Sequence, residues 1–270
     1  MMANLTLLYA KAALTGFTRR GDTLPESSLD AELTVDPAHV ARYAKACGFG
    51  VRDELPITYP HVLGFELQLR LMTGPGFPFP PAGLVHVANR ITQHRPLTVS
   101  EPLSLHVALA NLRPHERGQQ FDVVTAVSVD GEEAWVDVST YLRRSGSAVS
   151  ARENPEPPVP TARWRLPRDL GRRYADVSGD RNPIHLNALA AKVFGFPRAI
   201  AHGMWSKARC LAALEGRLPD AYEVDVRFKA PILLPGAVDF STSPTGDGRR
   251  FSLWSDRPHL EGVISPSRRT

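Results

Sequence analysis

Cysteine is nearly absent from this 270-residue chain, which holds only Cys47 and Cys210. Two thiols make no disulfide framework and suit a reducing compartment. Long hydrophobic runs are missing as well, and no window approaches the length needed to cross a bilayer. The apolar run Leu5-Thr-Leu-Leu-Tyr-Ala10 is short and has no basic segment before it, so no secretory signal is expected despite Ala10-Lys-Ala12. These absences predict a cytoplasmic protein without a membrane span. Charge of one sign is not concentrated anywhere. The net charge of +4 is dispersed over pairs such as Arg19-Arg20, Arg143-Arg144, Arg172-Arg173 and Arg249-Arg250. Nucleic-acid binding would want a stripe of basic residues with interleaved aromatics, and is not expected. Paired cysteine clusters, His-Glu-x-x-His, a P-loop and a dinucleotide fingerprint are also lacking, and neither metal nor cofactor is expected.

What remains has the apolar content of a globular protein, 43% of residues, in a length that fits one large or two modest domains. The most informative stretch is Tyr174-Ala-Asp-Val-Ser-Gly-Asp180-Arg-Asn182-Pro183-Ile-His185. Five extended residues would span roughly 17 Å. Proline fixes its own φ and pushes Asn182 out of the helical region, so the chain bends and Asp180 and His185 can face one water molecule. A histidine titrating near neutrality beside a carboxylate suits proton transfer. The bland alternative is a capping Asp, an Asn-Pro turn and a structural His.

A short helical run is expected over Leu186–Phe194, closed by Gly195, and then Ala201-His202-Gly203-Met204 opens a longer helix ending near Gly216. A helix start carries free N–H groups and partial positive charge, so the Gly203 amide is a candidate oxyanion donor. Cys210 lies on this helix and reads as core.

Tyr-Ala-x-x-Ser-Gly-Asp-x-Asn-Pro-Ile-His followed by Ala-His-Gly-Met resembles the hydratase-2 motif of the MaoC-like dehydratases, from Tyr174 to Met204. The resemblance implies the hot-dog fold, a curved antiparallel sheet wrapped around a central helix. It also implies reversible addition of water to a trans-2-enoyl thioester of CoA or acyl carrier protein, giving a (3R)-hydroxyacyl thioester. Carried over, Asp180 and His185 activate water, the Gly203 amide polarises the thioester carbonyl, and Asn182 and His202 border the substrate. A hot-dog thioesterase and a non-catalytic acyl-thioester binder are the rival readings.

The fold class expected is α+β, with two hot-dog domains in tandem. Residues 1–147 form a degenerate non-catalytic domain, 148–160 a proline-rich linker, and 161–270 the catalytic domain. In the first half Leu103, Leu105, Val107 and Leu109 alternate, then Phe121 to Val129, and Asp130-Gly131 turns the chain into Ala134, Val136, Val138 and Thr140. Strand patterns also close the second half, at Val224–Phe228, Ala237–Ser241 and Phe251–Trp254. The halves echo each other: Ala41-Arg-Tyr43 to Gly48-Phe49 lines up with Arg172-Arg-Tyr174 to Gly179-Asp180, and Leu55-Pro-Ile-Thr58 with Asn182-Pro-Ile-His185. In that register the first copy has lost its catalytic groups and is free to become a substrate pocket. Thr73–Gly83, rich in proline, reads as a rigid surface turn that borders it. His86, His94, His106 and His115 read as structural or exposed, Ser178 lacks a nucleophile elbow, and Arg227 and Lys229 are minor candidates for contacting the carrier of the thioester. A homodimer is expected.

Overall fold

The computed structural model describes residues 21–80, 83–145 and 156–267. The Leu5–Ala10 run, Arg19-Arg20 and residues 148–155 of the expected linker lie outside them. The first half holds β1 (Ser28–Thr34), α1 (Pro37–Cys47), α2 (Tyr59–Thr73), β2 (Leu84–Gln93), β3 (Pro102–His115), β4 (Gly118–Val129) and β5 (Glu132–Arg144). The second holds β6 (Ala162–Leu166), α3 (Leu170–Ser178), α4 (Pro183–Leu186), α5 (Ala188–Val193), α6 (Gly203–Ala212), β7 (Tyr222–Phe228), β8 (Gly236–Thr245), β9 (Gly248–Trp254) and β10 (Pro258–Pro266).

All ten strands join one antiparallel sheet in the order β1-β3-β4-β5-β2-β7-β10-β9-β8-β6. Read inward from its two edges, the order is β1-β3-β4-β5-β2 and β6-β8-β9-β10-β7, the same path taken twice. The runs meet where β2 pairs with β7, Ile91 opposite Val224 and Asn89 opposite Val226. The expected Asp130-Gly131 turn is present, both residues at positive φ (52° and 82°), linking β4 to β5. Alternation puts Val123, Val127, Trp135, Val224 and Val226 into the core.

Helices α1 and α3 pack on each other and end alike, on Gly48 and Gly179 in the left-handed region (φ 88° and 74°), a conformation that glycine adopts without a Cβ penalty. Helix α2 packs against β1, β3 and β4, and Gly64 permits its close approach, since a Cβ there would stand 3.0 Å from Thr125 Cγ2.

Local details depart from the sequence pattern in places. The run expected as one helix over Leu186–Phe194 is broken at Asn187, whose side chain accepts from the Leu189 amide (2.7 Å) and caps α5. The α6 helix stops at Ala212, short of Gly216. The described part of the Thr73–Gly83 segment, up to residue 80, is no simple surface turn: Phe77 and Phe79 are buried and pack edge-on at 5.8 Å, with Phe121 at 5.3 and 5.7 Å. Its prolines stiffen the chain while the alternate phenylalanines fill the core.

Candidate active site

Asp180 follows the left-handed Gly179 that ends α3. Its amide donates to Ser178 Oγ (3.2 Å), and its Oδ1 accepts from the Asn182 amide (3.1 Å), closing a tight turn. Asn182 then caps α4, its Oδ1 accepting from the Ile184 amide (3.4 Å). This sharp bend carries His185 back toward Asp180.

Two further contacts fix His185. The Ile184 carbonyl accepts from the Ile200 amide (3.1 Å), and His185 Nδ1 lies 2.8 Å from the Ile200 carbonyl. A carbonyl only accepts, so Nδ1 carries the hydrogen and Nε2 of the neutral ring keeps its lone pair. Burial lowers the His185 pKa below 6.5, opposed by the charge of Asp180 and the Ile200 contact. The ring is neutral at pH 7, the state required of a base.

Behind it lies His202, buried, stacked on His185 at 3.7 Å and tilted against Tyr174 at 4.9 Å. His202 Nε2 donates to the Asp180 carbonyl (3.0 Å) and sits 3.8 Å from Asp180 Oδ2. Burial, then the neighbouring His185, pull its pKa down to about 3. Expected at the substrate, His202 is enclosed by Tyr174, His185 and Asp180. It is also the N-cap of α6, which puts Gly203 at the first helical position, where amides have no intrahelical acceptor. A Cβ on Gly203 would meet the Phe228 ring at 3.0 Å.

The ligand atoms of Asp180, His185 and His202 lie within 4.8 Å of one another, a spacing that a metal ion could use. One nitrogen of each imidazole is already committed to a carbonyl. The rings stack with 26° between their planes, and each keeps one uncommitted nitrogen, Nε2 on His185 and Nδ1 on His202.

The other sequence candidates lie elsewhere. Lys229 pairs with Glu261 at 2.8 Å, Arg227 is exposed on β7, His106 meets Asp30 at 2.7 Å and His94 meets Glu133 at 3.7 Å. His86 is different: it stacks on Tyr141 (4.8 Å) and lies against Phe228 (5.0 Å) and His61 (6.3 Å). Burial first, then His61, push its pKa to about 3, and the charge of Asp180 is felt at both His86 and Tyr141. The first half therefore supplies a wall near Asp180.

Sequence reasoning missed a buried polar chain beside that wall. His61 Nδ1 bonds Asp137 Oδ2, Asn89 Nδ2 donates to Asp137 Oδ1 (2.5 Å), and Lys207 Nζ donates to Asn89 Oδ1 (2.5 Å). The one local hint was a lysine set among the apolar positions of α6. Gly171 was missed too: a Cβ there would stand 2.0 Å from the His185 carbonyl oxygen, so only glycine lets α3 and the His185 backbone touch.

The MaoC like domain family matches residues 146–254. The 3-hydroxyacyl-thioester dehydratase X of Mycobacterium tuberculosis is 43% identical over 268 residues, 96% of either chain. The crystal structure of HtdX from that organism superposes with a TM-score of 0.81 at 40% identity, covering 89% of this chain and all (100%) of that one. The peroxisomal enoyl-CoA hydratase 2 of Arabidopsis thaliana is 27% identical over 150 residues, 48% of each chain. Antiparallel sheet, buried helices and these likenesses agree: the fold is hot-dog, and the chain is an enzyme of the MaoC-like dehydratase family, a group of hydro-lyases.

Proposed function

We propose that the protein hydrates trans-2-enoyl thioesters to (3R)-3-hydroxyacyl thioesters, or runs the reverse dehydration, on a CoA or acyl-carrier-protein carrier. The reaction needs a base for water, an acid for the α-carbon and a donor for the enolate oxygen that develops on the thioester carbonyl. Asp180 and His185 act on the water and the transferred protons. Neutral His185 with an unprotonated Nε2 takes a proton from the attacking water as its oxygen bonds the β-carbon, Asp180 orients that water and stabilises the imidazolium, and the imidazolium returns the proton to the α-carbon of the enolate, leaving the pair as it began. The Gly203 amide, at the positive end of α6, polarises the carbonyl. Asn182 shapes the turn between the pair, and His202 supports His185 from behind.

The observation that carries the reading is the convergence of the Asp180 carboxylate and the His185 imidazole within 4.8 Å beside the start of α6. In the same reading the chain is a double hot-dog: residues 161–270 are the catalytic unit, and residues 1–147 are a copy that contributes the wall of His86 and Tyr141. The repeated strand order and the matching helix ends at Gly48 and Gly179 support the duplication.

The test is loss of the conjugated enoyl-thioester absorbance with crotonyl-, hexenoyl- and decenoyl-CoA, with a thiol reagent reporting hydrolysis in parallel. Absorbance loss without thiol release, abolished by Asp180→Asn or His185→Ala in folded protein, is the expected result. Thiol release would favour a thioesterase, and a near-normal rate in either variant would remove these residues from the chemistry.

A further inference from the structure

Lys207 lies four residues beyond Gly203 on α6, on the same helix face, and is fully buried (0% exposed). Lysine is almost never enclosed in this way without partners. Its Nζ meets three oxygens: Asn89 Oδ1 at 2.5 Å, the Asn89 carbonyl at 3.2 Å and the Val224 carbonyl at 3.1 Å. Three acceptors require three N–H groups, and an ammonium has three donors and no lone pair. The contacts therefore select the protonated form against the burial that pulls its pKa down to about 7.

The partners are informative. Asn89 is on β2 and Val224 on β7, the neighbouring strands where the two five-stranded runs meet. One ammonium thus clamps α6 to both sides of the junction. Its charge is balanced through Asn89, whose amide group also holds the buried Asp137 carboxylate on β5, and Asp137 in turn holds His61 on α2. The start of α6 rests on the same β7 strand, with Gly203 against Phe228.

We propose that Lys207 is a positioning residue for hydration: its clamp fixes the start of α6, and with it the Gly203 amide, against the β2–β7 junction. The chain through Asn89 and Asp137 makes that placement depend on the first half. The proposal rests on the reading that the Gly203 amide polarises the thioester carbonyl.

The experiment uses 2,4-hexadienoyl-CoA, whose absorption moves to the red when its carbonyl is polarised, bound to full-length protein in an Asp180→Asn background so that the probe is not consumed. Lys207→Met alone would strand the Asp137 charge and endanger folding, so Lys207→Met/Asp137→Asn is compared with it. In the folded double variant the red shift is expected to fall by more than half while probe affinity stays within about threefold. With Asp180 restored, kcat is expected to fall about 10- to 100-fold with KM little changed, as for a donor moved off its mark. A merely structural role would lower the active fraction but leave the shift of bound probe intact. A full red shift with near-normal kcat in the double variant overturns the Lys207 proposal alone. Absence of any shift in the Lys207-containing protein overturns the Gly203 reading and the proposal with it.

Discussion

Gly171→Ala offers a sharp test because two effects oppose each other in sign. Gly171 lies inside α3 without a positive φ, where alanine would ordinarily add about 1 kcal/mol of helix stability. The added Cβ, however, would stand 2.0 Å from the His185 carbonyl oxygen, 2.9 Å from its carbonyl carbon and 3.5 Å from its Cα. Comfortable carbon–oxygen contacts begin at about 3.3 Å, so the two backbones must separate by about 1.3 Å. A carbonyl cannot rotate away as a side chain can, and the shift falls on the segment that aims His185. Misplacement of a catalytic group by about 1 Å costs about 100-fold in rate, and overpacking costs about 1–3 kcal/mol of stability. The expected result is a folded protein with kcat/KM for crotonyl-CoA lower by about two orders of magnitude and an unfolding midpoint lower, not higher, than wild type. A variant with a raised midpoint and a rate within about threefold of wild type would refute the reasoning.

The pH dependence follows from His185: its pKa lies below 6.5, so kcat/KM should be level from pH 7 to 8 and fall on acidification with an apparent pKa under that value. A midpoint above it would contradict the base assignment. His202 gives a stability prediction. Its folded pKa of about 3 lies below the ordinary 6.5, so the unfolded chain takes up the proton first. The stability is fully present above pH 6.5 and is lost as pH falls toward 3. At pH 5 the 1.5-unit gap below 6.5 costs about 2 kcal/mol, or roughly 4–8 °C in unfolding midpoint. His202→Gln should flatten the pH 7 to pH 5 difference by that amount, and an unchanged difference would sink the inference. Gly203→Ala crowds the Phe228 ring, with a Cβ contact of 3.0 Å, and should lower kcat about 10-fold; Phe228→Leu in the same chain should restore part of it. Lys229→Ala removes a half-exposed pair with Glu261 and should cost less than about 1 kcal/mol, with hydration rates unchanged.

Legibility in the sequence followed distance along the chain. The Asp180–His185 bend was readable because its parts are neighbours: a proline, an Asx turn and a helix start, each with local chemistry. The Asp130-Gly131 turn was readable for the same reason. Lys207 and Asn89 are 118 positions apart, and His61 and Asp137 are 76 apart. No local pattern can announce such a network, and all of it but Lys207 lies in a half whose aligned positions, Phe49 and Thr58, lack the proposed catalytic Asp and His. Thr58 is buried there and accepts the Tyr43 hydroxyl (2.8 Å). Proline also misled, since the Phe77 and Phe79 side chains plunge inward from a segment whose backbone chemistry signals a turn. His86 had no metal spacing to mark it, and only the pairing of β2 with β5 brought it beside Tyr141 and within reach of Asp180's field.

The place of β10 sets a limit on how this enzyme can be divided. The family match ends at residue 254, the last residue of β9, yet β10 (Pro258–Pro266) is the strand that hydrogen-bonds β9 on one side and β7 on the other. A fragment trimmed to the matched segment would contain a three-stranded ribbon, β6-β8-β9, with a bare edge at β9, and β7 as a lone strand with no partner on either side. One that kept β10 but dropped the first half would still leave β7 without β2 and Lys207 without Asn89. The proposed catalytic residues fall in one stretch of sequence, but the smallest unit able to hold them in place is nearly the whole chain.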